Sequence, residues 1–394
     1  MKSFFFYLDS KLPFTSVAIG KFDGMHKAHL RLLEQLNESE DSKDLKQNEN
    51  KDSTQIENTK KDSKFIESKS QNFKDSTQNK KIDSKACALS IASIKTPFVT
   101  PPNERQKYAN VPFFRLKFEL IKSWDSLKFL KLLFEIMPNL QEIIVGYDFC
   151  FGANRASNVL DLRDMLDSIN RNYVKVKVIE SITYNGTPIH TSIIKELLKY
   201  GDMDSANAML GRFFSIKGRI IKGQGLGKKS LYPTINIKNS LNIIPKFGVY
   251  ASFVEFCDDI FDEKSSKNTN FMQKRFYKAV TFIGNRLSTD KHFSIETHII
   301  ESAKSSKNHN FIESKDSKTL QDCIESNVTF NEKNSINYNL ESALKTTTHI
   351  RIFFVQMLRN NKKFSDLNAL KTQISKDIES AKLILQNANQ NLCK

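Results

Sequence analysis

The chain has 394 residues, more than one hydrophobic core usually organises, so its length points to two folded domains with additional segments. Its apolar content is 39%, and no uncharged apolar run reaches the roughly 18 residues of a membrane-spanning helix, which favours a cytoplasmic protein without a membrane partner. A formal net charge of +16 implies attraction to polyanions such as nucleic acid, anionic lipid or a nucleotide polyphosphate, while five scattered cysteines (Cys87, Cys150, Cys257, Cys323, Cys393) without a CxxC argue against a disulfide framework or a thiolate zinc site.

In chain order, the opening MKSFFFYLDSKLPF is broken by Asp9 and Lys11 before an apolar signal core could develop, and it reads as a first strand. FTSVAIGKFDGMHKAHLRLLEQL follows, with Val17–Gly20 the end of a buried strand and Lys21–Gly24 a tight turn. His26–Leu36 then forms a helix with Leu30, Leu33 and Leu36 toward the core. From Glu38 to Lys85 the composition turns almost wholly polar, and eleven Lys balance eleven Asp plus Glu. Such a segment cannot bury a core and contributes no net charge, so the basicity resides in the folded parts. The polar stretches 258–275 and 301–347 have the same character and read as surface insertions. FIESK occurs in two of these insertions, at Phe65–Lys69 and Phe311–Lys315, as replicated low-complexity sequence without a solenoid period.

Without the insertions two blocks remain. The first, to Leu210, alternates apolar runs (QEIIVGYDF, VKVKVIESITY) with helical patterns such as PFFRLKFELIKSWDSLKFLKLLFEIM, which predicts an α/β domain with a parallel sheet. The second, from Gly211, is dominated by strands (FSIKGRIIKG, PTINIK, GVYASFVEF, RFYKAVTFIG, FSIETHII, HIRIFFVQML). It predicts a small barrel or sandwich closed by a helix at Ser365–Gln386.

Gly20 and Gly24 permit the turn that places His26 and His29 one helical turn apart at a helix N-terminus, where free N–H groups and the helix dipole favour an anion such as polyphosphate. Zinc is the competing ligand for such a pair, but no further His or Cys stands at ligand spacing; a histidine pair without a chemical task is the third reading. In the second block, Gly218, Gly223, Gly225 and Gly227 make a loop able to close over phosphates. Thr234 and Asn236, two apart on a strand, face one side with a hydroxyl and an amide oxygen, a donor pair suited to Mg²⁺. Glu296, alone, reads more readily as a solvated strand residue than as a general base; its position after the PTxN loop favours the base.

These stretches resemble the bacterial bifunctional riboflavin kinase/FMN adenylyltransferase (FAD synthetase) family. GKFDGMHKAH resembles its GxFDGxHxGH signature, VGYDFCFGANRASNVLDL its GxDFxFGxxRxGxxxxL segment, and IHTSIIKELLKYGDMDSANAMLGR its SSTxIRxxLxxGDxxxAxxxLGR region. GRIIKGQGLGKKSLYPTINI is similar to GxVxxGxxxGRxLGFPTANL, FSIETHII to the LEVHLL strand, PKFGVYA to the PxxGVY turn, and MLRNNKKFSDLNALKTQISKDI to IRxExKFxxLxxLxxQIxxDI. Against the pattern stand Ala28 for Gly, Cys150 for Arg, His190 for Ser, Ile193 and Lys195 for two Arg, Lys228 for Arg, Leu231 for Gly and Asn361 for Glu. IASIKTPFVTPPNERQKYA stands where the family has an FDPHP-like element.

The resemblance implies a Rossmann-like FMN adenylyltransferase domain (1–210) followed by a riboflavin kinase antiparallel β-barrel (211–394), acting on riboflavin, FMN and ATP with Mg²⁺. It implies that His26 and His29 stabilise the transferring adenylyl group, and that Gly20, Phe22, Asp23, Gly24, Thr191, Ser192 and Lys195 hold ATP. In the kinase half Gly218, Lys222, Gly223 and Gly225 are expected at phosphate, Thr234 and Asn236 at Mg²⁺, and Glu296 as general base. Asp148 and Arg359 are expected at flavin. No nucleic-acid partner is expected. The rival readings are a kinase-only homologue with a degenerate transferase site and a non-catalytic nucleotide- or RNA-binding protein.

Overall fold

A computed structural model describes residues 11–36, 85–93, 97–223, 232–239, 241–257, 276–288, 290–300 and 348–392. The first strand expected before Phe14 falls mostly outside these residues, as do the polar stretches 38–84, 258–275 and 301–347 and the loop carrying Gly225. The chain divides into two compact units, Met1–Thr96 with Pro102–Pro188 and Pro97–Pro101 with Ile189–Lys394.

The first unit is built on a five-stranded parallel sheet of order β3-β2-β1-β4-β5. Its strands are β1 (Ser16–Gly20), β2 (Ala86–Ala92), β3 (Phe113–Lys117), β4 (Glu142–Gly146) and β5 (Lys175–Ile179). Successive side chains of β1 leave opposite faces of the sheet, so both faces must be covered. Val17 and Ile19 join Leu130, Leu133, Ile143, Val145 and Leu162 in one core, whereas Ala18 packs with Phe22, Leu33, Leu36 and Ile144 in the other. The first core is roofed by α3 (Ser126–Ile136) and α4 (Val159–Ser168), the second by α1 (residues 27–36).

Two sequence expectations change here. The stretch PFFRLKFELIKSWDSLKFLKLLFEIM is not one helical pattern: Phe113–Lys117 pairs with β2 as the edge strand, a short helix α2 spans Phe118–Ile121, and only then does α3 begin. The open edge of β2 offers FFRLK a full ladder of backbone partners, which local helical periodicity cannot match. The buried face of α1 is Leu32, Leu33 and Leu36, while Leu30 is only partly buried, a rotation of the expected stripe toward Leu32.

The second unit opens with α5 (Thr191–Tyr200) and α6 (Met203–Leu210), after the two-residue strands β6 (Thr183–Tyr184) and β7 (Thr187–Pro188) that end the first. Its six longer strands close into an antiparallel barrel, β10-β11-β12-β9-β8-β13. These are β8 (Phe214–Ile221), β9 (Ile235–Lys238), β10 (Gly248–Cys257), β11 (Phe276–Asn285), β12 (Phe293–Ile299) and β13 (His349–Asn360), followed by α7 (Leu367–Leu392). All six strand segments expected from the sequence are present. The outer face of β10 packs Val249, Ala251 and Phe253 against Ile378, Ala381 and Leu385 of α7, while its inner face fills the barrel; GVYASFV is therefore buried throughout and its burial does not alternate. Inside, Ser252, Thr281 and Thr297 form a fully buried hydroxyl ladder, at 2.7 and 2.9 Å, that satisfies each polar group where water cannot reach.

Tyr250 is also fully buried, its hydroxyl donating to the Lys246 carbonyl, and burial pushes the phenol well above its ordinary range. The native barrel keeps this proton where the unfolded chain releases it, so the contribution of Tyr250 is complete below the ordinary phenol value near ~10 and is lost as pH rises further. Thermal unfolding followed between about pH 9 and 11 is expected to show a shallower decline for Tyr250→Phe than for the natural chain. Parallel declines would remove Tyr250 from the account.

Candidate active sites

The sheet order of the first unit reverses direction between β1 and β4, and ligands of open α/β sheets bind at the carboxyl ends of strands beside such a switch point. The expected residues follow those ends: Phe22, Asp23, Gly24, His26 and His29 follow β1, and Asp148, exposed, follows β4. Between Gly20 and α1 the backbone enters the left-handed region three times, at Phe22 (φ 52°), Gly24 (φ 96°) and Met25 (φ 43°). Phe22 and Met25 are fully buried, so packing holds a turn that intrinsic preference alone would not. The His26 carbonyl accepts from the Leu30 N–H at 3.0 Å, so His26 caps the N-terminus of α1. The imidazoles of His26 and His29 stack 3.7 Å apart at 17°, with Phe22 against His29 at 5.2 Å. One face thus carries both rings at a helix start, the arrangement read from their spacing.

Arg105 is one residue that sequence reading missed. It lies on a 3₁₀ segment, Pro102–Tyr108, and its side chain is fully buried. Its guanidinium donates to the Lys21 carbonyl at 2.9 Å and to Ser90 Oγ at 3.1 Å, and lies 3.7 Å from Asp23 Oδ1. Burial pushes its pKa down to about 10, with Asp23 opposing that shift, so it stays cationic at neutral pH and braces the turn leading to the histidines. Nothing in PPNERQKYA distinguishes Arg105 from its polar neighbours before the chain folds.

Thr191, Ser192 and Lys195 form the first turns of α5 in the second unit, where Lys195 Nζ donates to the Pro97 carbonyl at 3.1 Å. Cys150 accepts a long contact from Arg155 at 3.6 Å in a loop where Gly152, Asn154 and Arg155 all have positive φ.

On the barrel, Glu296 of β12 and Asn236 of β9 are direct antiparallel partners, so their side chains leave the same face as immediate neighbours. Thr234 precedes Asn236 by two residues. His298, on the same face of β12, bonds the Pro233 carbonyl through Nδ1 at 2.8 Å, and the Tyr232 hydroxyl meets Ser375 Oγ of α7 at 2.8 Å. PTxN is thereby pinned to the strand that carries Glu296. Gly223, ahead of the loop, approaches so closely that a β-carbon there would lie 2.5 Å from Asn236 Nδ2, which explains glycine at this position. Gly218 is buried in β8 and Lys222 is exposed just beyond it. Arg286, another residue missed from sequence, reaches Glu296 at 3.4 Å.

Arg359 turns its fork onto Asp377 of α7, with Nε 3.0 Å from both carboxylate oxygens and Nη2 2.8 Å from Oδ2; Gln373 completes the set at 2.9 Å. The pair borders a cavity of about 290 Å³ lined by Met357, Lys376 and Ser380 among others. Asp377 is 5% exposed, so removing its partner leaves a buried carboxylate uncompensated. Arg359→Ala is expected to lower the unfolding free energy by about 3–5 kcal/mol in denaturant titration. A loss under about 1 kcal/mol would show that Asp377 relaxes to solvent.

The profile of the riboflavin kinase family matches residues 210–346 and 322–385. A bifunctional riboflavin kinase/FMN adenylyltransferase of Buchnera aphidicola subsp. Schizaphis graminum is 30% identical over 268 residues, covering 67% of this chain and 68% of that protein. The chain belongs to the bifunctional riboflavin kinase/FMN adenylyltransferase family. A Bacillus subtilis member is 28% identical over 42% of this chain and 52% of its own. Among solved structures, one titled as a macrolide-efflux protein from Streptococcus pneumoniae superposes with a TM-score of 0.61 over 95% of this chain and 96% of its own, at 17% identity; it shares the fold. No helix among the described residues is long and apolar enough to cross a membrane.

Proposed function

We propose that the chain makes FMN from riboflavin and ATP on its barrel and FAD from FMN and ATP at the histidine turn of its sheet domain. Membership of the family makes it an enzyme of flavin cofactor biosynthesis, with flavins and ATP as substrates. The observation that carries the kinase assignment is the register pairing of Asn236 with Glu296, which joins a hard-oxygen donor pair to a carboxylate on one face. Thr234 and Asn236 fit Mg²⁺ by donor chemistry, and the ion, when bound there with MgATP, supplies charge neutralisation at the phosphates. Glu296 takes the proton from the ribityl hydroxyl as that oxygen bonds to the γ-phosphorus; the bond to the bridging oxygen breaks and ADP leaves. The backbone about Gly218, Lys222, Gly223 and Gly225 positions the polyphosphate.

In the second reaction a phosphate oxygen of FMN bonds to the α-phosphorus of ATP and pyrophosphate leaves. His26 and His29, at the start of α1 and beside Gly20, Phe22, Asp23 and Gly24, stabilise charge on the transferring group. Thr191, Ser192 and Lys195 are assigned to phosphate, Asp148 to the flavin, and Arg359 to positioning near it through its bond with Asp377. The protein is read as cytoplasmic, with no nucleic-acid partner. Incubation with riboflavin, ATP and Mg²⁺, with chromatographic separation of FMN and FAD, tests both steps: FMN without FAD from supplied FMN would leave a kinase-only protein, and neither product would overturn the reading.

A further inference from the structure

Arg286 opens the hairpin loop between β11 and β12, and its guanidinium spans two carboxylates. Nη2 lies 2.7 Å from Asp290 Oδ2 and Nη1 lies 3.4 Å from Glu296 Oε1, with the three side chains 19%, 24% and 21% exposed. The loop fixes the root of this side chain. The Arg286 N–H donates to the His292 carbonyl at 3.0 Å, its carbonyl accepts from Lys291 N–H at 3.1 Å, and Asp290 Oδ1 accepts from His292 N–H at 3.1 Å.

We propose that Arg286 is a positioning residue of riboflavin phosphorylation, with Asp290 aiming its fork and Nη1 holding one oxygen of Glu296 so that the other is presented to the attacking hydroxyl. This rests on the reading of Glu296 as general base. A free glutamate samples several rotamers, and a base that is misoriented by a small angle loses the aligned proton transfer. A planar fork whose other arm is anchored at 2.7 Å restricts that sampling without occupying the second oxygen. The 3.4 Å separation to Glu296 leaves room to tighten when substrate closes the site, as catalytic hydrogen bonds do. A role confined to closing the hairpin is poorly matched to this geometry. The backbone bonds and Asp290 already close the loop, and neither requires the arm that reaches Glu296.

The test compares Arg286→Met and Arg286→Lys with the natural chain in steady-state FMN formation, with thermal unfolding and FAD formation from supplied FMN measured on the same preparations. For Arg286→Met, kcat is expected to fall about 10- to 100-fold with KM for riboflavin and MgATP within about threefold, at unchanged unfolding temperature and FAD formation. Arg286→Lys should recover part of kcat, because a point charge attracts the carboxylate but cannot bridge both partners in the same fork. Two results overturn the proposal: a natural kcat in Arg286→Met, or equal losses in both variants accompanied by a lowered unfolding temperature, which is the behaviour of a hairpin brace. A natural chain that makes no FMN overturns the kinase reading, and this inference with it; an active natural chain with an unaffected Arg286→Met overturns the inference alone.

Discussion

Glu296→Gln is expected to lose FMN formation by about 10²- to 10⁴-fold in kcat, the span over which general bases act. Glutamine keeps the volume of the side chain and an oxygen for hydrogen bonding but cannot accept a proton, so the loss reports chemistry and not packing. Glu296 is about one fifth exposed and faces Asn236 across the β9–β12 ladder; the substitution leaves the backbone register and the buried Ile295 and Thr297 on either side untouched. KM for MgATP should move little, because the phosphates are assigned to the glycine loop and the Thr234–Asn236 pair. FMN formed by Glu296→Gln at the natural rate would remove the general base from the mechanism.

His29→Ala should reduce FAD formation from supplied FMN by about 10²- to 10³-fold, the cost of losing one donor aimed at developing charge, while FMN formation from riboflavin continues. His29 is the better probe of the pair, since His26 is 4% exposed and its carbonyl caps the start of α1. Loss of the His29 ring also frees a face of the His26 imidazole, stacked on it at 3.7 Å, so part of the effect belongs to the pair. Undiminished FAD formation in this variant would exclude the histidine turn as the transfer site and return the pair to a packing role.

The sites were legible from sequence to unequal degrees. GKFDGMHKAH and PTxN could be read directly because each is contiguous, and the turn, the helix start and the two-residue alternation of a strand are local consequences of spacing. FSIETHII likewise exposed its alternation, with Ile295, Thr297 and Ile299 buried and Glu296 and His298 on the other face. FFRLK was misread because the helical pattern downstream of it extends into it, and only the free edge of β2 selects the strand. Arg105 and Arg286 gave no signal, since a charged residue in a polar loop is ordinarily solvated, and Asp377 stood out only as the Asp of the QIxxDI resemblance, with no role attached. Each acquires meaning from a partner distant in sequence: the Lys21 carbonyl, Glu296 and Arg359.

The sequence by itself determined the two-block architecture, the six barrel strands and the family motifs, because hydrophobic period and motif spacing act over a few residues. Tertiary structure alone decided which side chains meet. Parallel pairing set His26 and His29 at the switch point of the sheet, antiparallel register put Asn236 opposite Glu296, and barrel closure brought α7 under Arg359. Backbone ladders and burial select these pairings collectively, and no short stretch of chain carries the information for a contact whose other half lies on a different strand.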